Sequence, residues 1–123
     1  MEFPSLRWSK TLVAKALKDE HIRQIWEMEM KGYYFITDSN LSRAGNRSDV
    51  LAAVSCGVNV VQYRNKNAET REMYREALDL GQICRDAGSL FLVNDRLDVA
   101  MAVEADGVHV GQADMPCLKA RKM

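Results

Sequence analysis

Four short apolar runs alternate with segments of helical periodicity along most of the chain, and this alternation constrains the fold more than any other feature. The strand-like runs are residues 33–37, 58–63, 90–93 and 106–110. Apolar residues recur at helical spacing in the segments that follow them: 48–56, 69–87, 97–103 and a last one from Pro116. Repeated strand and helix units predict an α/β fold, with a parallel sheet and helices outside it. This periodicity fits both a (β/α)8 barrel and an open doubly wound sheet.

Capping chemistry predicts where the helices begin and end. Ser48 is the expected cap of the first helix, because a serine hydroxyl can accept a hydrogen bond from a free N–H of the first turn. Gly57 and Gly88 are expected to end the two helices before them, since glycine readily adopts the left-handed conformation found after many helices. Pro116 is expected to be the first residue of the last helix.

Residues 1–31 differ from the rest and are predicted to form an N-terminal helical extension. Apolar residues recur at helical spacing between charged ones, as at Leu12, Ala16 and Ile22. Both charge signs are mixed on the polar positions, which favours a helix packed on the following domain over a helix that binds a partner or a membrane surface. Residues 32–123 are then predicted to be one domain.

The bulk composition excludes several classes of function. Lys plus Arg and Asp plus Glu both number 17, so the formal net charge is zero and predicts no nucleic-acid partner. No apolar run approaches the roughly 20 residues that span a bilayer, and no basic and apolar leader opens the chain, so we expect no membrane association and a cytoplasmic location. Cys56, Cys84 and Cys117 lie far apart and are predicted to be buried apolar residues in a reducing compartment.

The second strand ends in polar residues that suit a phosphorylated ligand. Because strand side chains alternate, Gln62, Arg64 and Lys66 share one side, while Val61 and Tyr63 share the other. Arginine offers a planar fork of donors and lysine a compact point charge, which are complementary ways of holding phosphate oxygens. The strand end therefore predicts a phosphate-binding site.

Two carboxylates follow the later strands in the same way. Asp95 comes directly after the third strand and Asp114 after the fourth, and Mg2+ prefers hard oxygen ligands of this kind. Asp95 is also a candidate cap for the helix that follows it. Asp106 precedes a strand, at the opposite edge, and is predicted to be structural. His109 lies within a strand and is predicted to be packed or hydrogen-bonded rather than an acid or base.

Four motifs in register resemble the N-terminal half of the thiamine-phosphate synthase family, also called thiamine-phosphate pyrophosphorylase. The motifs span about residues 32–116 and read YYFITD, VVQYRNK, ETREMYREAL and LFLVNDRLDVAMAVEADGVHVGQADMP. The resemblance implies a (β/α)8 TIM barrel, of which residues 32–123 would form about the first four βα units.

The resemblance also implies a reaction and a set of site residues. A transferase of this family joins 4-amino-2-methyl-5-hydroxymethylpyrimidine diphosphate to a thiazole phosphate, giving thiamine phosphate and pyrophosphate, and needs no protein nucleophile. The implied cofactor is Mg2+, with Asp95 and Asp114 as its ligands. The implied substrate-binding residues are Gln62, Tyr63, Arg64, Asn65, Lys66 and Asn94.

The predicted four strands are fewer than a complete barrel requires. Open sheet edges and an uncovered interior favour association, so we expect a homo-oligomer or a partner that supplies the missing barrel half. Three interpretations stay open. In the first, the chain is a synthase that assembles its site with another copy or with a second half. In the second, it is a non-catalytic half-barrel that binds Mg2+ and the pyrimidine diphosphate, or only self-associates. In the third, it is a truncated reading frame.

Overall fold

Strands and helices alternate throughout the part of the chain that the computed structural model describes, residues 32–123. The strands are β1 (Tyr34–Ile36), β2 (Val60–Tyr63), β3 (Leu90–Asn94) and β4 (Gly107–His109). The helices are α1 (Asn46–Ser55), α2 (Thr70–Ala87), α3 (Leu97–Ala102) and α4 (Cys117–Lys122). The predicted N-terminal helical extension of residues 1–31 lies outside the described residues.

The four strands form one sheet in the order β1-β2-β3-β4, and every neighbouring pair is parallel. In this register Ile36 lies opposite Gln62, and Asn94 lies opposite His109. The prediction of a parallel α/β sheet is confirmed. Because all strands run the same way, their carboxyl ends meet at one edge, where the polar residues of the sequence motifs follow them.

The two faces of the sheet differ in chemistry because side chains alternate along each strand. One face packs against α1, α2 and α3 and is apolar. Its buried residues include Val61, Tyr63, Phe91 and Val93, and they meet Val50, Met73, Ala77, Leu80, Cys84, Val99, Ala100 and Val103 of the helices and their ends. We call the opposite side the inner face, and it carries Gln62, Asn94 and His109. The helix-packed face therefore supplies the core, and the inner face remains for polar groups.

The glycines end the helices as predicted, whereas the predicted starts are displaced. Gly57 and Gly88 both have left-handed backbones, at φ of 82° and 75°, so those two predictions are confirmed. The prediction for Ser48 is wrong, because α1 begins at Asn46 after Gly45, and no side chain caps it. Pro116 precedes α4 rather than opening it. None of the helices in residues 32–123 is long and apolar enough to cross a membrane.

Only one of the three cysteines is buried. Cys84 is enclosed between α2 and the sheet, and its burial, together with the negative charge of Asp106, raises the pKa of its thiol to about 12. Cys56 and Cys117 are exposed, so the prediction of burial is wrong for both. They lie just after the end of α1 and at the start of α4, outside the helix faces that pack on the sheet.

Asp106 has the structural role that its position predicts. Its carboxylate accepts a hydrogen bond of 2.7 Å from the backbone N–H of Phe91, which joins the start of β4 to β3. This contact lies at the amino-terminal edge of the sheet, opposite the polar strand ends. Asp106 therefore fastens two strands together and is not part of the candidate site.

The packing of α2 predicts that Leu80 is a main contributor to stability. Leu80 is fully buried, whereas Leu78 on the same helix is 48% exposed. Leu80→Ala should lower the free energy of unfolding by about 2–5 kcal/mol, because it leaves a cavity in the core. The control Leu78→Ala should change it by about 0.5 kcal/mol. Urea unfolding followed by circular dichroism measures both values, and equal losses would contradict this orientation of α2.

The cysteine environments predict unequal thiol reactivity. In the native protein, Cys56 and Cys117 should react readily with DTNB near neutral pH. Cys84 should react only after unfolding, because it is buried and its thiolate is disfavoured. The thiol titration should therefore give two fast equivalents and a third in denaturant. Rapid reaction of all three thiols in the native protein would show that the face of α2 bearing Cys84 is not packed on the sheet.

Candidate active site

A chain of side chains on the inner face links all four strands of the described sheet. Gln62 of β2 donates its amide N–H to the Tyr34 hydroxyl of β1. Asn94 of β3 donates to Gln62 Oε1 at 3.0 Å, and its Nδ2 also lies 3.0 Å from His109 Nδ1 of β4. We call these four residues the amide relay. The relay fixes one polar side chain from each strand at neighbouring positions.

The relay determines which polar atoms are left for a ligand. The amide nitrogen of Asn94 donates to both Gln62 and His109, so Asn94 Oδ1 is the atom of that amide that the relay does not use. Because Asn94 Nδ2 can only donate, His109 Nδ1 is the acceptor in this contact, and Nε2 is the ring nitrogen left to donate. The prediction that His109 is hydrogen-bonded within the strand is confirmed. The inner face thus presents Asn94 Oδ1 as an acceptor and His109 Nε2 as a donor, both in fixed orientations.

A charged cluster lies beside the relay, where β3 ends. The ammonium group of Lys66 donates to Asp95 Oδ2 in an ion pair that bridges the loops after β2 and β3. Asp95 has a left-handed backbone with φ of 64°, and its N–H donates to the carbonyl of His109 at 2.7 Å. This conformation is uncommon for residues other than glycine, although aspartate tolerates it better than most. The neighbouring strand β4 therefore helps to hold the Asp95 carboxylate in place.

Asp114 completes the charged cluster. Its carboxylate accepts a hydrogen bond of 2.7 Å from the N–H of Gly111 and lies within hydrogen-bonding reach of the Asp95 carboxyl. Partial burial by itself raises the pKa of Asp95, but the hydrogen bonds to Lys66 and Asp114 and the positive charge of Lys66 outweigh it. The pKa of Asp95 is therefore lowered, and the side chain is ionised at neutral pH. Two carboxylates and one ammonium group meet at this point.

The suggestion that Asp95 caps the following helix is wrong. The residue at the N-cap position of α3 is Arg96, and no side chain caps that helix. The left-handed turn at Asp95 directs its carboxylate toward Lys66 instead. Arg96 itself points away from the cluster, because its guanidinium donates to Asp98 and to Thr70 of α2.

Three other predicted site residues are placed differently. Arg64 is partly buried at the same edge, and no side chain within residues 32–123 holds its guanidinium through a hydrogen bond. Tyr63 is 1% exposed and packs in the core on the helix side of the sheet. Asn65 shapes the loop, because its Oδ1 accepts hydrogen bonds from the N–H groups of Asn67 and Ala68. The structure therefore brings Gln62, Lys66, Asn94, Asp95 and Asp114 together, with Arg64 nearby, and places Tyr63 and Asn65 outside the cluster.

Comparison with known proteins identifies the family. Residues 33–123 match the family model described as Thiamine monophosphate synthase. The chain belongs to this family. The thiamine-phosphate synthase of Methanosarcina barkeri is 54% identical over 91 residues, which cover 74% of this chain and 41% of that protein. That of Chloroflexus aurantiacus is also 54% identical over 91 residues, which cover 73% of this chain and 42% of that protein.

Comparison with a solved structure extends the result to the fold. The thiamine phosphate pyrophosphorylase from Pyrococcus furiosus superposes with a TM-score of 0.69 at 45% identity, covering 72% of this chain and 43% of that one. The sheet is therefore a partial barrel of the TIM type, which decides between the two architectures that the periodicity left open. The chain spans about two fifths of the length of each of these relatives.

Two residues contribute to the site but were missed in the sequence. Thr37 is fully buried, and its hydroxyl bonds both the N–H and the carbonyl of Arg64, at 2.9 and 3.1 Å. Tyr34 supplies the first hydroxyl of the amide relay. The alternation of side chains along β1 could have predicted that Tyr34 lies on the inner face, because Tyr34 and Ile36 are two residues apart in the strand. Nothing in the sequence indicated that Thr37 joins β1 to the loop that carries Arg64.

The donor atoms of the cluster limit the cations that it could hold. Within residues 32–123, no group of three or more His, Cys, Asp or Glu side chains could hold a metal ion. The pair Asp95 and Asp114 offers hard oxygen ligands only. A cation that takes one or two protein carboxylates, and completes its coordination with waters and phosphate oxygens, suits such a pair.

The amide relay predicts that Asn94 contributes to stability as well as to binding. Asn94→Ala leaves Gln62 Oε1, within a side chain that is only 2% exposed, without its donor. We expect the free energy of unfolding to fall by about 1–3 kcal/mol. The exposed Asn40 side chain accepts a hydrogen bond from Asn67 Nδ2 at the surface, so Asn40→Ala is a suitable control and should cost about 0.5 kcal/mol. Urea unfolding that gives the same small value for both variants would contradict the relay.

Proposed function

We propose that this chain acts in thiamine phosphate synthesis, as a transferase that joins the pyrimidine diphosphate to the thiazole phosphate and releases pyrophosphate. The observation that carries the proposal is the convergence of Lys66, Asp95 and Asp114 beside the amide relay, at the carboxyl edge of the sheet. Ligands bind at this edge in TIM-barrel enzymes. Membership of the thiamine monophosphate synthase family supports this reaction. The cluster supplies a cation for phosphate oxygens and carboxylates for a metal ion, which are the groups that a reaction releasing pyrophosphate needs.

The diphosphate group would bind between the two cations that follow β2. Lys66 reaches the cluster, and Arg64 has a guanidinium that no described side chain occupies. Thr37 holds the backbone of Arg64 through two hydrogen bonds, so the start of this loop is fixed before a ligand arrives. Pyrophosphate can leave only if its growing negative charge is neutralised, and these cations are placed to do so.

We also propose that Asp95 and Asp114 hold Mg2+. Their adjacent carboxylates fit a metal that binds few protein ligands beside substrate phosphates. When bound, Mg2+ supplies further positive charge to neutralise the departing pyrophosphate. The lowered pKa of Asp95 keeps this ligand ionised and available at neutral pH.

The pyrimidine ring would be recognised by the amide relay. The relay leaves Asn94 Oδ1 as an acceptor, and the amino group of the pyrimidine is a donor that matches it. Gln62 supports Asn94 through their 3.0 Å hydrogen bond and thereby fixes the orientation of that oxygen. The predicted substrate contacts of Tyr63 and Asn65 stay predictions, and their positions favour indirect roles in packing the strand and shaping the loop.

A second polypeptide segment would complete the site. Within residues 32–123, β1 and β4 each pair with one neighbour only, so each has an unpaired edge, and the inner-face residue Ile36 is 47% exposed. Unpaired edges and exposed apolar residues favour association. We therefore propose that another copy or the remaining barrel half covers these edges and contributes the contacts to the thiazole phosphate.

Thiamine phosphate formation by the purified 123-residue chain, supplied with both substrates and Mg2+, tests this function. Asp95→Asn and Asp114→Asn should each lower the rate by roughly 100-fold or more, because each removes charge that stabilises the leaving group. Asp79→Asn is the matched control, since Asp79 pairs with Arg47 on the exposed surface of the helices and has no hydrogen bond with the described cluster. Its rate should stay unchanged.

Two results would contradict parts of the proposal. Unaltered rates in both Asp95→Asn and Asp114→Asn would show that these residues do not hold a required metal. No product from folded protein, combined with Mg2+-dependent binding of the pyrimidine diphosphate in a calorimetric titration, would favour the non-catalytic binding protein. Circular dichroism of every variant excludes unfolding as the cause of a lost rate.

A further inference from the structure

Lys66 and Asp95 bind each other in this structure, although the proposed function requires both of them for different ligands. The ammonium group of Lys66 donates to Asp95 Oδ2, which is one of the two oxygens through which Asp95 could bind a metal ion. The same ammonium group would have to reach the phosphate oxygens of the substrate. While the ion pair is closed, Asp95 Oδ2 and the Lys66 ammonium group are directed at each other rather than at a ligand.

The structure indicates which of the two side chains moves. Asp95 is held by the left-handed turn, by the 2.7 Å bond from its N–H to His109, and by the 2.7 Å bond between the Arg96 N–H and the Asn94 carbonyl. Lys66 lies on a loop, and its long side chain is 48% exposed, against 25% for that of Asp95. The carboxylate is thus the fixed partner and the ammonium group is the mobile one.

The local charge explains why a metal would displace Lys66. Lys66 brings one positive charge to the Asp95 carboxylate, whereas a divalent cation would bring two. Such a cation would repel the lysine ammonium group at short range. Among the described residues Lys66 is the cation that pairs with Asp95, whereas Arg96 is held by Asp98 and Thr70.

We propose that Lys66 is an exchangeable counterion that occupies Asp95 until a divalent cation replaces it, and that the released ammonium group then binds the diphosphate. This inference rests on the proposed function for the identity of the two ligands. Because linkage is reciprocal, diphosphate that draws Lys66 away also raises the affinity of the aspartate pair for the metal. The exchange therefore makes the binding of metal and diphosphate mutually favourable.

Calorimetric titration of the full chain with MgCl2, without substrate, tests the exchange. In Lys66→Met the competitor is absent, so Mg2+ should bind about fivefold more tightly than to the unaltered protein. Arg64→Met is the matched control, because it removes a cation from the same strand end without touching Asp95. Its Mg2+ affinity should change by less than about twofold. Lys66→Gln should bind Mg2+ as tightly as Lys66→Met does. Agreement between the two variants would show that the change comes from loss of the ammonium group and not from an effect of one substitution on folding.

A second readout follows the lysine itself. Mg2+ should raise the rate at which trace acetic anhydride acetylates Lys66 by several-fold, because a released amine is more accessible. Lys119 and Lys122 are exposed on α4 and serve as internal references in the same digest. In Asp95→Asn, Lys66 should react quickly with or without Mg2+, since its partner is gone.

Each outcome decides the proposal. Tighter Mg2+ binding by Lys66→Met, with metal-dependent acetylation of Lys66, supports the exchange. Equal or weaker Mg2+ binding by Lys66→Met overturns the exchange while leaving the metal site in place. Mg2+ binding by neither protein overturns both the exchange and the metal assignment. Because neither readout uses substrate or turnover, an exchange observed in a protein that forms no thiamine phosphate would remove the synthase proposal alone.

Discussion

The burial of one face of the sheet under α1, α2 and α3 is the constraint on which the rest of the described structure depends. β2 lies between β1 and β3 and is buried at all four positions. Its apolar side chains can reach the helices only if the strand alternates strictly, and a shift of one residue would turn Val61 and Tyr63 to the opposite side. The same alternation sends Gln62 to the inner face. Core packing and the position of the site are therefore consequences of one register.

The parallel register also explains why the site lies at a single edge. At the carboxyl ends of β2, β3 and β4, side-chain hydrogen bonds join Gln62, Asn94 and His109. The loops after these strands then carry Lys66, Asp95 and Asp114 to a common point. The opposite edge contains Asp106 in a structural bond to Phe91. The division between a binding edge and a structural edge is the one expected for barrels of this type.

The charged cluster is balanced in a way that suits a ligand-dependent site. Asp95 is paired with the ammonium group of Lys66, and this contact outweighs the effect of partial burial and lowers the pKa of the Asp95 carboxyl group. A partly exposed ion pair of this kind contributes little net stability and can open readily. The amide relay is the opposite case, because Gln62 is almost fully buried and its bonds are costly to break. The site thus combines a rigid part beside the proposed pyrimidine position with an exchangeable part beside the proposed phosphate position.

The sequence by itself determined the order of the elements, the parallel α/β class, the glycine helix ends and, through four motifs, the family. These features depend on local periodicity and on residue types, which can be read along the chain. The start of α1 at Asn46, the exposure of Cys56 and Cys117, and the contact between Lys66 and Asp95 depend on packing between distant segments. The two hydrogen bonds between the Thr37 hydroxyl and the Arg64 backbone were likewise decided only by the tertiary structure, as was the place of Tyr34 in the amide relay. They require β1 and β2 to lie side by side, and strand neighbours are set by the packing of the whole sheet rather than by either strand alone.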